Sequence, residues 1–138
     1  MALVTPNVRE VELLDKMLKD ALSSDENYIL KLYNNDYTPV SGSTASNFTA
    51  ATFTNYAHKT LTRTGWGAAS TVSNKASSTY SAQQSWTCGA TGDTVYGYWV
   101  IGATSTVVLW GERFGTPRTL ANGDILNLTP KFTLNSEN

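Results

Sequence analysis

Thr94-Val95-Tyr96-Gly97-Tyr98-Trp99-Val100-Ile101, a break at Ala103-Thr104-Ser105, and then Val107-Val108-Leu109-Trp110-Gly111-Glu112-Arg113-Phe114 form the stretch that decides the fold class. Both runs are dense in aromatic and β-branched residues, which suit a pleated, half-buried surface. In the second run Val108, Trp110 and Phe114 share one face while Val107, Leu109 and Arg113 share the other, the period of two that strands impose. The small residues between the runs favour a turn. The stretch reads as a β-hairpin.

Working outward toward the C-terminus, Asn122-Gly123-Asp124 is a sharp turn signal. Ile125–Leu128 and Lys131–Leu134 follow as short strands, with Pro130 marking a bend or an edge between them. Toward the N-terminus, Tyr28–Tyr33 alternates as a strand and Asn34-Asn35-Asp36 closes it. From Tyr37 to Gly92 there is no acidic residue, and Ser, Thr, Ala, Asn and Gly dominate. Spaced aromatics in that segment argue against disorder, so short strands are expected near Phe53–Thr62 and Thr79–Thr87, joined by long loops. Many short strands at a spacing of roughly ten residues predict a mainly β chain, a single antiparallel β-sandwich of jelly-roll type.

One helix precedes this body, from about Pro6 to Leu22, with Thr5 as cap and Pro6 in the first helical position. Its apolar residues fan over roughly 220°, wider than the stripe one packing surface needs. Two readings stand: the helix packs on its own body and on another chain, or it is sunk deep in its own domain. The organisation expected is an arm and helix over 1–27 and a β body over 28–138. The interface residues predicted on the first reading are Leu3, Val4, Val8, Val11, Leu14 and Leu18.

The chemistry-bearing residues are sparse. The chain of 138 residues has 15% charged residues, a net charge of −1, one histidine and one cysteine. The balance makes no electrostatic case for nucleic acid or an anionic membrane. Basic residues Lys59, Arg63 and Lys75 do not cluster with the tryptophans. No apolar run approaches the length of a membrane helix, and Met1–Asn7 lacks the pattern of a secretory signal. His58 and Cys88 alone supply too few ligands for zinc, so no metal and no cofactor is expected. There is no Gly-x-Ser-x-Gly elbow, and Gly65-Trp66-Gly67 lacks the lysine of a phosphate loop. A carboxylate-pair hydrolase would have to draw on Asp93, Glu112 and Asp124. The expectation is a protein without catalytic activity. Trp66, flanked by glycines, is the aromatic expected to stand exposed toward a partner or a sugar, with Tyr80 and Trp86 as companions in a carbohydrate- or receptor-binding reading.

The run from Tyr96 through Phe114, with Asn122-Gly123-Asp124-Ile125-Leu126-Asn127-Leu128-Thr129-Pro130-Lys131-Phe132-Thr133-Leu134, resembles the small head decoration or cement proteins of tailed bacteriophages. The resemblance covers about the last third of the chain and consists of strands and turns, with no binding motif to carry over. It implies a virion protein made in the host cytoplasm and placed on the capsid exterior. It further implies the major capsid protein as partner and a symmetric assembly, here expected to be a homotrimer. The alternative is a tail- or fibre-associated receptor or carbohydrate-binding module.

Overall fold

The computed structural model describes residues 7–18 and 26–134, with the backbone alone for residues 7–10 and 12. The described chain is mainly β with antiparallel sheets. Its elements are α1 (Asn7–Leu18), β1 (Tyr28–Tyr33), β2 (Lys59–Leu61), β3 (Ser70–Val72), β4 (Lys75–Thr79), β5 (Gln84–Thr87), β6 (Asp93–Gly102), β7 (Val108–Leu120), β8 (Ile125–Leu128) and β9 (Lys131–Leu134). They gather into two compact units.

One unit holds residues Glu26–Leu61 and Gln84–Leu128. Its main sheet runs β2-β1-β6-β7, and β5 pairs with β8 in a second, two-stranded ladder. The register sets Leu30 opposite Val100 on one face and Ile29 opposite Ile101 on the other. Both faces of β1 are covered, which is why its alternation is weak and Tyr28, Leu30, Leu32 and Tyr33 are all buried. The acid-free segment supplies the cover. Phe48 stacks on Trp99, with centroids 5.0 Å apart and planes 7° from parallel, and Tyr33 meets Phe48 edge-on at 5.2 Å. That loop is pinned by Asn35, whose amide donates to the Asn47 carbonyl at 2.9 Å and accepts from the Thr49 N–H at 2.8 Å. Asp93 gathers the same region: its Oδ2 accepts from the Asn34 amide and from the Thr52 N–H.

The β6–β7 hairpin appears where the alternation placed it, and its turn is held from outside. The Glu26 carboxylate accepts the N–H groups of Thr104 and Ser105 at 2.6 and 2.8 Å and the Ser105 hydroxyl at 2.7 Å. Within the ladder, Val95 pairs with Arg118 and Gly97 with Arg113, so Phe114, Gly115, Thr116 and Pro117 oppose Tyr96 alone. This bulge divides β7 into two paired stretches.

The other unit joins α1 to residues Thr62–Gln83 and 129–134. Its sheet runs β3-β4-β9. Ser73 and Asn74 link β3 to β4 with φ of 50° and 61°, the left-handed pair a tight hairpin requires. The centre of β4 is Ala76, Ser77 and Ser78, all buried. These small side chains leave room for α1, which lies against β3 and β4. Leu14 and Leu18 are each 1% exposed, and the Asp15 carboxylate accepts the Ala69 N–H at 2.7 Å. The helix therefore shares a unit with strands from the middle and end of the chain, whereas the division read from sequence, 1–27 and 28–138, follows chain order.

Candidate interaction surface

The three carboxylates that a hydrolase would have to draw on are each engaged in local structure. Asp93 bonds Asn34, Thr52 and, through Oδ1, the Thr94 N–H. Glu112 accepts a hydrogen bond from the Tyr98 hydroxyl at 2.7 Å. Asp124 closes its own turn by accepting the Ala121 N–H at 2.8 Å. None of these bonds links two of the three carboxylates. His58 is exposed and Cys88 is buried. Among the described residues no three of His, Cys, Asp and Glu group closely enough to hold a metal ion.

Trp66 corrects the expectation of an exposed anchor. It is 3% exposed, bridges to Tyr80 as an isolated antiparallel pair, and meets the Tyr80 ring edge-on at 5.3 Å. Its flanking glycine has a packing reason: a Cβ on Gly65 would meet the Tyr80 ring at about the same place the ring now occupies. The Tyr80 hydroxyl in turn accepts the Thr62 N–H at 3.1 Å. Trp86 is also buried and donates its indole N–H to the Ala57 carbonyl at 2.7 Å. The three aromatics named for a sugar platform are thus interior.

Of the predicted interface residues, Leu14 and Leu18 are buried within their own unit, which removes them from any outward contact, and Val11 is half-buried. Leu3 and Val4 lie outside the described residues, as does the side chain of Val8. The outward apolar position on α1 is Leu13, 58% exposed, which the predicted set did not include.

The surface features that sequence reading missed collect along β7. It is the last strand of its sheet, so one of its edges has no strand neighbour among the described residues. Three depressions line it. One, of about 320 Å³, lies between Pro39, Val40 and Ser43 on one side and Val108–Gly111 on the other. A second, of about 340 Å³, sits at the bulge, between Glu112–Thr116 and Leu126. A third, of about 390 Å³, lies between Arg118–Leu120 and Asp124–Asn127. Val40, Val107 and Ile125, each 60% exposed or more, stand in or beside them. Val40 lines the first depression, Val107 adjoins its lining residue Val108 in the chain, and Ile125 on β8 lines the third; exposed apolar side chains beside depressions mark a contact surface more than isolated ones do. Pro117, which has no N–H, and the bulge interrupt the open edge, as edges that must not pair indiscriminately often are.

No protein-family model, no curated protein and no solved structure matches the chain.

Proposed function

We propose that this protein is a virion structural subunit without catalytic activity, a capsid decoration or cement protein that binds and stabilises the shell of the major capsid protein as a homotrimer. The observation that carries the reading is the edge of β7, which has no strand neighbour among the described residues and is lined by three depressions, with the exposed Val40, Val107 and Ile125 in or beside them. The depression beside Val40 and Val108–Gly111 has no charged lining residue, which keeps the cost of desolvation there small. Many modest contacts repeated by symmetry add up through effective concentration. The resemblance of the last third of the chain to head decoration proteins supports the choice of shell. The finer architecture belongs to the same proposal: a jelly-roll-like sandwich, supported by the way β7 and β8, consecutive strands, pass through a four-residue turn into different ladders.

The test is attachment to shells assembled from the major capsid protein without this subunit. Val40→Asp with Val107→Asp puts two charges on exposed positions, so folding is spared while docking must desolvate them. Occupancy of the shell is expected to fall at least about tenfold at equal concentration. Undiminished occupancy, or failure of the unaltered protein to attach at all, overturns the reading.

A further inference from the structure

Asn122 is the one asparagine of the chain that a glycine follows. The pair stands in the middle of the turn between β7 and β8, and both residues are exposed. Asp124 donates its N–H to the Ala121 carbonyl at 3.0 Å and Gly123 takes a φ of +89°, the marks of a type II turn. The Asn122 carboxamide has no hydrogen-bond partner among the described residues. A Cβ on Gly123 would meet nothing within 4 Å, so the backbone there is open to solvent. Every other asparagine except the last residue precedes a residue with a side chain, which crowds the next nitrogen. Asn34 and Asn35 are also tied by their amides, to Asp93 and to the Asn47 carbonyl.

These features fit one reaction. The Gly123 nitrogen gives up its proton and bonds to Asn122 Cγ. The bond from Cγ to Nδ2 breaks, and ammonia leaves with that proton. Water then opens the cyclic imide. Attack at Cγ yields aspartate; attack at the former backbone carbonyl yields isoaspartate, whose main chain runs through the side chain.

The folded turn holds this nitrogen back. Gly123 donates its N–H to the Cys88 carbonyl at 2.8 Å, and Cys88 donates its own to the Asp124 carbonyl at 2.8 Å. The Asp124 carboxylate caps the Ala121 N–H. A type II turn also sets ψ of its second residue near about +120°, which turns the Gly123 nitrogen away from the carboxamide. Closure of the imide therefore needs the turn to open.

We infer that Asn122 is a site of self-modification, converted to aspartate and isoaspartate with loss of ammonia at a rate set by opening of the β7–β8 turn. Isoaspartate inserts an extra backbone atom between two strands whose ladders, to β6 and to β5, are fixed separately. It also adds a negative charge close to Asp124. The reaction needs only water, so it is followed on the isolated protein and does not depend on attachment to a shell.

In the experiment the whole chain is aged at mildly alkaline pH with and without urea, digested and mapped by mass spectrometry. Electron-transfer fragmentation separates isoaspartate from aspartate. Asn122 is expected to be the first asparagine to change, and to change at least about tenfold faster in urea than in the native protein. Gly123→Ala slows the reaction in urea, where the turn plays no part. Asp124→Ala removes the cap and raises the native rate toward the urea rate, whereas Asp124→Asn, which keeps an acceptor oxygen, holds it down. Circular dichroism verifies that both variants are folded. Hydrogen exchange at the Gly123 amide of the unaltered protein reads the same opening without any variant. An Asn122 that stays intact while another asparagine changes, equal native and urea rates, an unprotected Gly123 amide, or a native rate unmoved by Asp124→Ala overturns the proposal.

Discussion

Gly97 shows how much one missing side chain decides. A Cβ there would run into the Glu112 carbonyl oxygen and the Tyr33 hydroxyl, both fixed by the pairing of three strands. Gly97→Ala is expected to cost about 2 kcal/mol or more, as overpacking of a tight core does. A shift in the urea midpoint measures it, and an unshifted midpoint contradicts the packing described. Tyr33 itself has its phenol pushed up to about 12, chiefly by burial. Tyr98 is raised as well, first by burial and then by the hydrogen bond it donates to Glu112. The sign is fixed by these directions. Both folded-state values exceed the unfolded value of 10.0, so the contribution is complete below that pH and is lost as pH climbs through the folded-state values. Urea unfolding at a pH of about 9 and about 11 is expected to show a lower midpoint at the higher pH, and Tyr33→Phe is expected to flatten that difference. Equal midpoints for the unaltered protein contradict it.

Among the elements, α1 divides its wide apolar arc in two. Leu14 and Leu18 are buried where the helix lies on β3 and β4, while Leu13 points away. Leu14→Ala is expected to destabilise by about 3 kcal/mol, a large-to-small change at a closed site, whereas Leu13→Ser is expected to leave thermal stability within about half a kcal/mol. Scanning calorimetry on the two variants distinguishes them, and equal effects contradict the orientation. It follows that removing residues 1–22 would strip a packed element from its unit, so loss of attachment in such a truncation would not by itself identify a contact surface. β4 is the converse case. Lys75-Ala76-Ser77-Ser78-Thr79 carries no apolar alternation, yet it is the middle strand of its sheet, because small residues were needed beneath a helix. The β7 bulge likewise follows no pattern readable in Phe114–Pro117 alone: it exists because four residues must pass over Tyr96 to restore pairing at Arg118.

In the molecule as a whole, three of the four tryptophans, Trp66, Trp86 and Trp99, are no more than 3% exposed, and Trp110 is half-buried. Tryptophan emission is accordingly expected to be blue-shifted and weakly quenched by acrylamide, and Trp66→Phe is expected to leave the accessible fraction unchanged. Strong quenching removed by Trp66→Phe would restore the exposed anchor that the flanking glycines first implied. The large apolar side chains that stay exposed are Leu13, Val40, Val72, Val107 and Ile125, none of them a tryptophan.

The sequence by itself determined the β class, the hairpin of β6 and β7, the strands Tyr28–Tyr33, Ile125–Leu128 and Lys131–Leu134, and the turn at Gly123, whose φ of +89° suits glycine. These are local matters: alternation, β-branching and turn chemistry act over a few neighbours, and each residue type carries its own preference. It also showed how little metal- and nucleophile-bearing chemistry is available. The tertiary structure alone decided which side chains are inside. Trp66 is buried because Tyr80, fourteen positions on, closes over it, and Leu14 is buried because a strand sixty residues away receives it. It alone decided that β7 and β8 part after their turn instead of pairing, which leaves the depressions lined by both strands. Such outcomes depend on contacts between segments distant in the chain, whose free energy no single segment contains.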